Sequence, residues 1–480
     1  FFMATVPAGT HLYHGTSKSE PVEGMEWLAF EPEHALIFAR PRGEPPGGPP
    51  GEGDGDEDEE KGERIKHASG HGEEIVAHQL PLNPSSAPLT GYLHTYAPPS
   101  PLHLLYIDGL SAGKTLNGTL DTQDLLLLNL TTSPGSPMGG EYARARGLCR
   151  LAETLWEGKI DGVLRMEGGF EVILCKFEGR VERVDVMPVR ASEGPGVRGR
   201  PGRGGKGGPR STMGGWLYIQ AITSRYHGIG GGRVKLDYSH FVSAFAYERL
   251  DLWTNDVVSD TPHPRLTNAS PAQLDEIKGA VTDMILQSSH RREEGEGEGE
   301  EEKTNWQEVA DMVVTRYSSP LHYLHTNQKV RSNKETFAHY LTTLLHPFVA
   351  PSARNITHEL LRCTSQVVPP LPLPPSPLPL LAHTTIHTVA SQICSTLLSA
   401  LDTTTSSLSR SLAPASPPPS HALELVDSLV AYLRWTTWKE CGPCGDEEVC
   451  FVPIWPMGSV EEHRAPRCTR EEGVGAGYWG

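Results

Sequence analysis

The chain of 480 residues carries a formal net charge of −17, with 37% hydrophobic and 21% charged residues. That length allows two or three domains, each burying its own core, so disulfides are not needed merely to hold the chain together. Much of the negative charge sits in two glycine-interleaved runs, Glu52 to Glu60 and Glu293 to Glu302. They read as solvated, unfolded segments, which leaves the folded parts nearer neutral and gives no reason to expect a nucleic-acid partner.

The basic run Arg198 to Arg210 is Gly/Pro-rich and reads as a linker. The longest apolar runs, such as Leu125 to Leu128, fall far below the roughly 20 residues of a spanning helix, so no membrane span is expected. The first residues are Phe1-Phe2 rather than an initiator methionine. The chain is therefore read as processed or as a fragment, with any signal peptide upstream of Phe1.

In chain order, Leu12 to Thr16, Trp27 to Phe30 and Pro32 to Arg40 read as strand, turn, strand and short helix. Leu102 to Ile107 and Glu171 to Phe177 read as strands. Glu141 to Trp156 has helical spacing at Tyr142, Leu148, Leu151, Leu155 and Trp156. From Trp216 to about Val258, aromatic and β-branched runs broken by Gly228 to Gly232 suggest further strands of the same α+β domain. That domain is placed at residues 1–260, with unfolded inserts at 41–64 and 193–210.

A helix in 261–290 starts at an N-cap Ser270 with Pro271 behind it and carries Leu274, Ile277, Val281, Met284 and Ile285 on one face. After an acidic linker, 291–303, helical patterns recur at Trp306 to Tyr317, Glu335 to Leu345, Ile386 to Leu401 and Ala422 to Trp435. They define a helical domain at 304–438 with Pro-rich inserts at 369–379 and 414–419, and a Cys-rich tail at 439–480 closes the chain. The expected fold is thus an α+β N-terminal domain followed by a mainly α-helical domain with a disulfide-rich tail. No fixed-period repeat is present.

On Leu12-Tyr13-His14-Gly15-Thr16 and the strand and short helix that follow, the chain resembles the ADP-ribosyltransferase-like fold. The resemblance covers residues 9–40 and 160–177 and implies an NAD site, with NAD as co-substrate of an ADP-ribosyltransferase or NAD glycohydrolase. His14 would hold the adenosine ribose, Gly15 would admit backbone groups to the nicotinamide amide, and Thr16 completes the motif. Phe38 stands where the family has a stacking tyrosine and lacks its hydroxyl. Glu171, in Gly169-Phe170-Glu171-Val172-Ile173, would stabilise the ribosyl cation as nicotinamide leaves. Across Tyr106 to Asp124, Gly147 to Phe177 and Trp438 to Pro456 the chain also resembles a group of uncharacterised secreted fungal proteins, which implies no activity.

Gly109-Leu110-Ser111-Ala112-Gly113 fits a nucleophile elbow, with Ser111 as nucleophile, a base among His227, His240 and His263, and an orienting Asp237 or Asp260. The glycine density of the chain favours a chance match. Asp108 to Thr115 imitates a phosphate loop but has a carboxylate where that motif needs glycine. Asp256, Asp260 and His263 could gather round a metal, yet read more simply as loop residues.

The densest chemical feature is Cys441-x2-Cys444-x5-Cys450-x17-Cys468. Four thiols at this spacing suit two disulfides, a zinc site with His463 as a substitute ligand, or a redox couple. Only Cys441 and Cys444 form a close couple, which favours disulfides. Cys363 with Cys394, and Cys149 with Cys175, are further candidate pairs, although connectivity is not readable from sequence. The even cysteine count and the acceptor triplets at Asn117, Asn129, Asn268 and Asn355 together point to a secreted or cell-surface glycoprotein. Two functional classes stay open: an NAD-dependent domain using His14 and Glu171, and a non-catalytic interaction protein. A Ser111 hydrolase is the third reading.

Overall fold

The computed structural model describes residues 1–39, 90–114, 118–130, 140–190, 219–220, 231–253, 264–293, 304–370, 377–410, 418–451, 462 and 465–470. Nine strands form one sheet: β1 (Phe2–Val6), β2 (Leu12–Thr16), β3 (Glu26–Ala29), β4 (Thr90–Ala97), β5 (Leu102–Tyr106), β6 (Gly162–Met166), β7 (Phe170–Leu174), β8 (Glu182–Arg190) and β9 (Lys235–Phe241). Their spatial order is β8-β4-β2-β3-β7-β6-β5-β1-β9. Of the paired neighbours, β5 and β6 are parallel. A parallel pair needs a long crossover, and here it passes through a π-helical turn (Thr122–Leu127) and α2 (Glu141–Thr154). The short helix α1 (Pro32–Leu36) follows β3.

One face of the sheet packs largely on itself. Val6, Leu12, Leu28, Tyr96, Leu104, Leu164 and Val172, each from a different strand, share one core with Phe177. The sheet therefore curls into a half-barrel. The other face carries Met3, Leu105, Val163 and Ile173 against Leu126, Ala145, Leu148 and Trp156 of the crossover. In α2 the buried positions are Ala145, Leu148 and Ala152, while Tyr142 and Leu155 are exposed. The apolar stripe is thus rotated from the one the larger side chains suggest, because alanines line the seam.

The same core takes in Ile277, Val281, Met284 and Ile285 of α3 (Pro271–Glu293). The helix expected to stand apart from the first domain is one of its covering helices, so that domain extends past 260. Within the stretch from Trp216 to Val258, the described strand is β9, which forms an edge of the sheet.

The second half is helical: α4 (Trp306–Thr326), α5 (Gln328–Arg331), α6 (Lys334–Leu345), α7 (Ile356–Ser365), α8 (Pro377–Arg410) and α9 (Ser420–Leu433). Asn305, Asn327, Asn333 and Asn355 cap four of these helices, each side-chain oxygen accepting from an N–H of the first turn. Tyr317, Leu321, Phe337, Leu341, Ile393, Leu397, Val426 and Leu429 form their common core. A two-stranded ribbon, β10 (Val449–Phe451) and β11 (Arg467–Thr469), makes the tail. No helix among the described residues is long and apolar enough to cross a membrane.

All eight cysteines are paired: Cys149–Cys175, Cys363–Cys394, Cys441–Cys450 and Cys444–Cys468. The first joins α2 to the segment after β7, and the second joins α7 to α8. The last two cross-link the tail.

Candidate functional site

The three segments that carry the transferase resemblance lie side by side, since β2, β3 and β7 are consecutive in the sheet and α1 leaves the end of β3. β2 and β3 share a single residue pair, Tyr13↔Ala29, and part on either side of it. Gly15 is required beside this opening. A Cβ there would lie 1.9 Å from the Ala35 carbonyl oxygen and 2.7 Å from the Ala39 nitrogen, so any side chain would push the α1 segment off the sheet.

The side chains fall differently from the expectation. Tyr13 is opposite Ala29 and Ala29 is opposite Glu171, which puts Tyr13 and Glu171 on one face. His14, one residue along, projects to the other. There its Nδ1 lies 2.8 Å from the Trp27 carbonyl oxygen, and its ring centre lies 6.2 Å from Phe177 and 6.5 Å from His94. His14 and Glu171 therefore do not line one cleft. Thr16 ends β2, its hydroxyl oxygen 3.4 Å from the Lys18 N–H. Phe38 is 55% exposed, with its ring 6.0 Å from that of His34.

Glu171 instead belongs to a buried charge cluster between the sheet and the crossover. Arg165, directly opposite it on β6, is wholly buried. The guanidinium donates through Nε to Glu171 at 3.0 Å, through Nη1 to Gln123 at 2.9 Å, and through Nη2 to both Glu141 and Glu171. Arg144 extends the cluster, donating to Asp124 at 2.6 and 3.1 Å and to Glu141 at 2.8 Å. The π-helical turn supplies Gln123 and Asp124, and the first turn of α2 supplies Glu141 and Arg144.

Burial alone would raise the Glu141 carboxyl, but Arg165, Lys114 and Arg144 outweigh it and hold the pKa at about 2, down from 4.5. Burial works against the Lys114 ammonium as well, yet Glu141, Glu167 and Glu171 more than offset it and raise its pKa. His34, on α1, has its pKa lowered by burial, against the opposing field of Glu171. The cluster so favours the charged Glu141 carboxylate among its counter-charges, while burial disfavours the charged form of the His34 imidazole.

A depressed carboxyl contributes stability that is present above its unfolded pKa and lost as pH falls toward the folded one. For Glu141 that window runs from 4.5 down to about 2. Acid titration of the N-terminal domain, followed by near-UV circular dichroism, is expected to show a loss on the order of 3 kcal/mol across this window. Glu141→Gln should remove that part of the pH dependence, and an unchanged titration would mean that Glu141 is not held by the arginines.

Ser111 is also buried. Its Oγ donates to the Ile107 carbonyl at 2.6 Å, and its own carbonyl accepts from Gln123. The hydroxyl is thus engaged in an internal turn contact. His240 instead lies 3.9 Å from Asp237 on β9. His227, Asp256, Asp260, His263, His463 and Asn117 lie outside the described residues. Asn129, Asn268 and Asn355 are exposed. Two shallow grooves open elsewhere, one beside Ser318, His322 and Trp438 and one beside His103, Asp161 and Arg180.

Comparison with known proteins bears on this same sheet domain. Residues 1–194 match the family model of the YPL277C N-terminal domain. Two Saccharomyces cerevisiae proteins are also similar to part of the chain. The uncharacterized protein YPL277C is 29% identical over 197 residues, 39% of this chain and 38% of its own length. The uncharacterized protein YOR389W is 30% identical over 197 residues, 39% of this chain and 30% of its own length. The match spans well under half of either relative. No solved structure matches. The sheet domain is thus similar to a family of uncharacterised fungal proteins, and the matched region takes in Arg165, Glu171, Glu141 and the Cys149–Cys175 bridge.

Proposed function

We propose that the chain is a secreted or cell-surface glycoprotein acting as a non-catalytic interaction protein, built on an ADP-ribosyltransferase-like sheet whose glutamate has been drawn into the structure. The observation that carries this reading is the double tie of Arg165 to Glu171 and Glu141. A carboxylate that stabilises a ribosyl cation must face the place where positive charge develops. Glu171 faces a fixed guanidinium, and the family's histidine position is on the opposite side of the sheet. Pairing of every cysteine and exposure of Asn129, Asn268 and Asn355 support the oxidising, glycosylating compartment.

A second reading, an NAD-binding or NAD-cleaving domain, is supported by the adjacency of β2, β3 and β7 and by the single-pair junction beside Gly15. Incubation of the folded protein with NAD separates the two. The expected result is no nicotinamide release above a blank, and a Glu171→Gln variant that melts at a lower temperature than the wild type. Release that Glu171→Gln abolishes would establish the NAD reading and overturn the first.

A further inference from the structure

The two tail disulfides are stacked against each other. Cys450 and Cys468 face one another across the β10/β11 pair, and the Cys441-Gly442-Pro443-Cys444 turn supplies the partner of each. The sulfurs of Cys441, Cys444 and Cys468, drawn from both bridges, lie within 4.8 Å of one another. The fourth, on Cys450, is bonded to that of Cys441. Cys444 Sγ and Cys468 Sγ lie 3.7 and 3.6 Å from the same Gly442 carbonyl oxygen, so both sulfurs of that bridge sit against the backbone next to Cys441. Zinc held tetrahedrally by four thiolates at about 2.3 Å keeps its sulfurs about 3.8 Å apart. Three of the four sulfurs already lie near that spacing, and the fourth is one bond away from Cys441 Sγ, so the rearrangement needed once the two S–S bonds open is local.

We propose that the tail, once its two disulfides are reduced, binds one zinc ion through Cys441, Cys444, Cys450 and Cys468. This goes beyond the reading above and does not rest on it. Each bridge takes two electrons and two protons from a thiol reductant, which leaves as its own disulfide. Binding Zn²⁺ then releases the protons of the coordinating thiols to water. Two-electron oxidation of each cysteine couple by an oxidised thiol reverses the step and expels the metal. The four tail cysteines are all half-exposed, whereas Cys363 and Cys394 are fully buried, so a soluble reductant reaches the tail before that core bridge. The tail would then be disulfide-bonded in an oxidising compartment and zinc-bound in a reducing one that supplies the metal.

The full chain, mildly reduced without air by a phosphine, is titrated with cobalt(II) and then zinc. The expected result is one cobalt per chain with the visible bands of a tetrahedral thiolate centre, lost when zinc is added. The bands should be absent from the oxidised protein and from Cys441→Ser/Cys444→Ser, and retained in Cys149→Ser/Cys175→Ser. As a check independent of variant folding, zinc should protect the four tail cysteines of the reduced wild type from maleimide. Absent thiolate bands, bands that persist in the tail variant, or tail cysteines that react equally with and without zinc would each overturn the proposal.

Discussion

Arg165→Leu is expected to destabilise the N-terminal domain by about 3–5 kcal/mol, the range for removing one partner of a buried ion pair. Arg165 is 0% exposed and is hydrogen-bonded to Glu171, Glu141 and Gln123. Taking away the guanidinium leaves two carboxylates close together in a place that water does not fill. The domain must then protonate one of them, admit water, or unfold. Arg165→Lys should recover only part of the loss, because one ammonium cannot reproduce the planar fork that serves three acceptors.

Urea unfolding followed by the N-terminal circular dichroism signal checks this. The solvent-exposed pair of Arg470 with Glu448 offers a comparison, where Arg470→Ala should leave stability nearly unchanged. An Arg165→Leu variant as stable as the wild type would show that the cluster does not hold the domain. The combined change of Arg165, Glu141 and Glu171 to apolar residues is the complementary case. A cluster kept only for structure should tolerate it far better than the single change, since no buried charge is then left unpaired.

The contrast between Arg165 and His14 shows what pattern reading reaches. The strands at Trp27 to Phe30, Leu102 to Ile107 and Glu171 to Phe177 are legible because short β-rich runs are bounded by turn residues, and β3, β5 and β7 overlap them. The helices α4, α6, α8 and α9 announce themselves by spacing, whereas α5 and α7 fall outside the expected patterns. Face assignment is harder. It depends on register between strands distant in sequence, and a motif such as His14-Gly15-Thr16 carries no mark of which neighbour it meets.

The Arg165–Glu171 pair, by contrast, had a usable signal. Two strand-like runs flank Glu167-Gly168-Gly169, a hairpin connection that sets Met166 opposite Phe170 and hence Arg165 opposite Glu171. An opposite-charge pair on a strand hairpin whose neighbours are apolar is a candidate buried ion pair from sequence alone. What could not be read is the arrival of Glu141, Arg144 and Asp124 from the crossover. Asp124 sits on a π-helical turn, which hydrophobic spacing does not encode, and Glu141 and Arg144 sit in the first turn of α2, whose docking on the sheet is a long-range contact. Ser111 shows how little a short pattern carries, because five residues fit an elbow while the folded chain uses the hydroxyl in its own turn.

Cys363→Ala/Cys394→Ala is expected to lower the stability of the helical domain by about 3–4 kcal/mol, from the loop-closure entropy of a bridge across 31 residues. Both residues are fully buried in the helical core. The Tyr317 hydroxyl lies 3.4 and 3.7 Å from the two sulfurs and accepts from Gln366 at 2.9 Å, so the bridge also fixes where that polar group sits in an apolar surround. Small cavities left by the alanines add to the loss.

The effect should be local. The sheet domain has its own bridge, Cys149–Cys175, and its own core, so its unfolding transition should stay in place while the helical transition moves to lower temperature. Breaking Cys441–Cys450, which spans 9 residues at the ribbon, should leave both transitions unmoved, because the tail contributes little to either core. Calorimetry of the two variants distinguishes these outcomes. If the Cys363→Ala/Cys394→Ala protein melted in both domains together, α7 and α8 would be supporting the sheet as well, and the two halves would have to be treated as one cooperative unit.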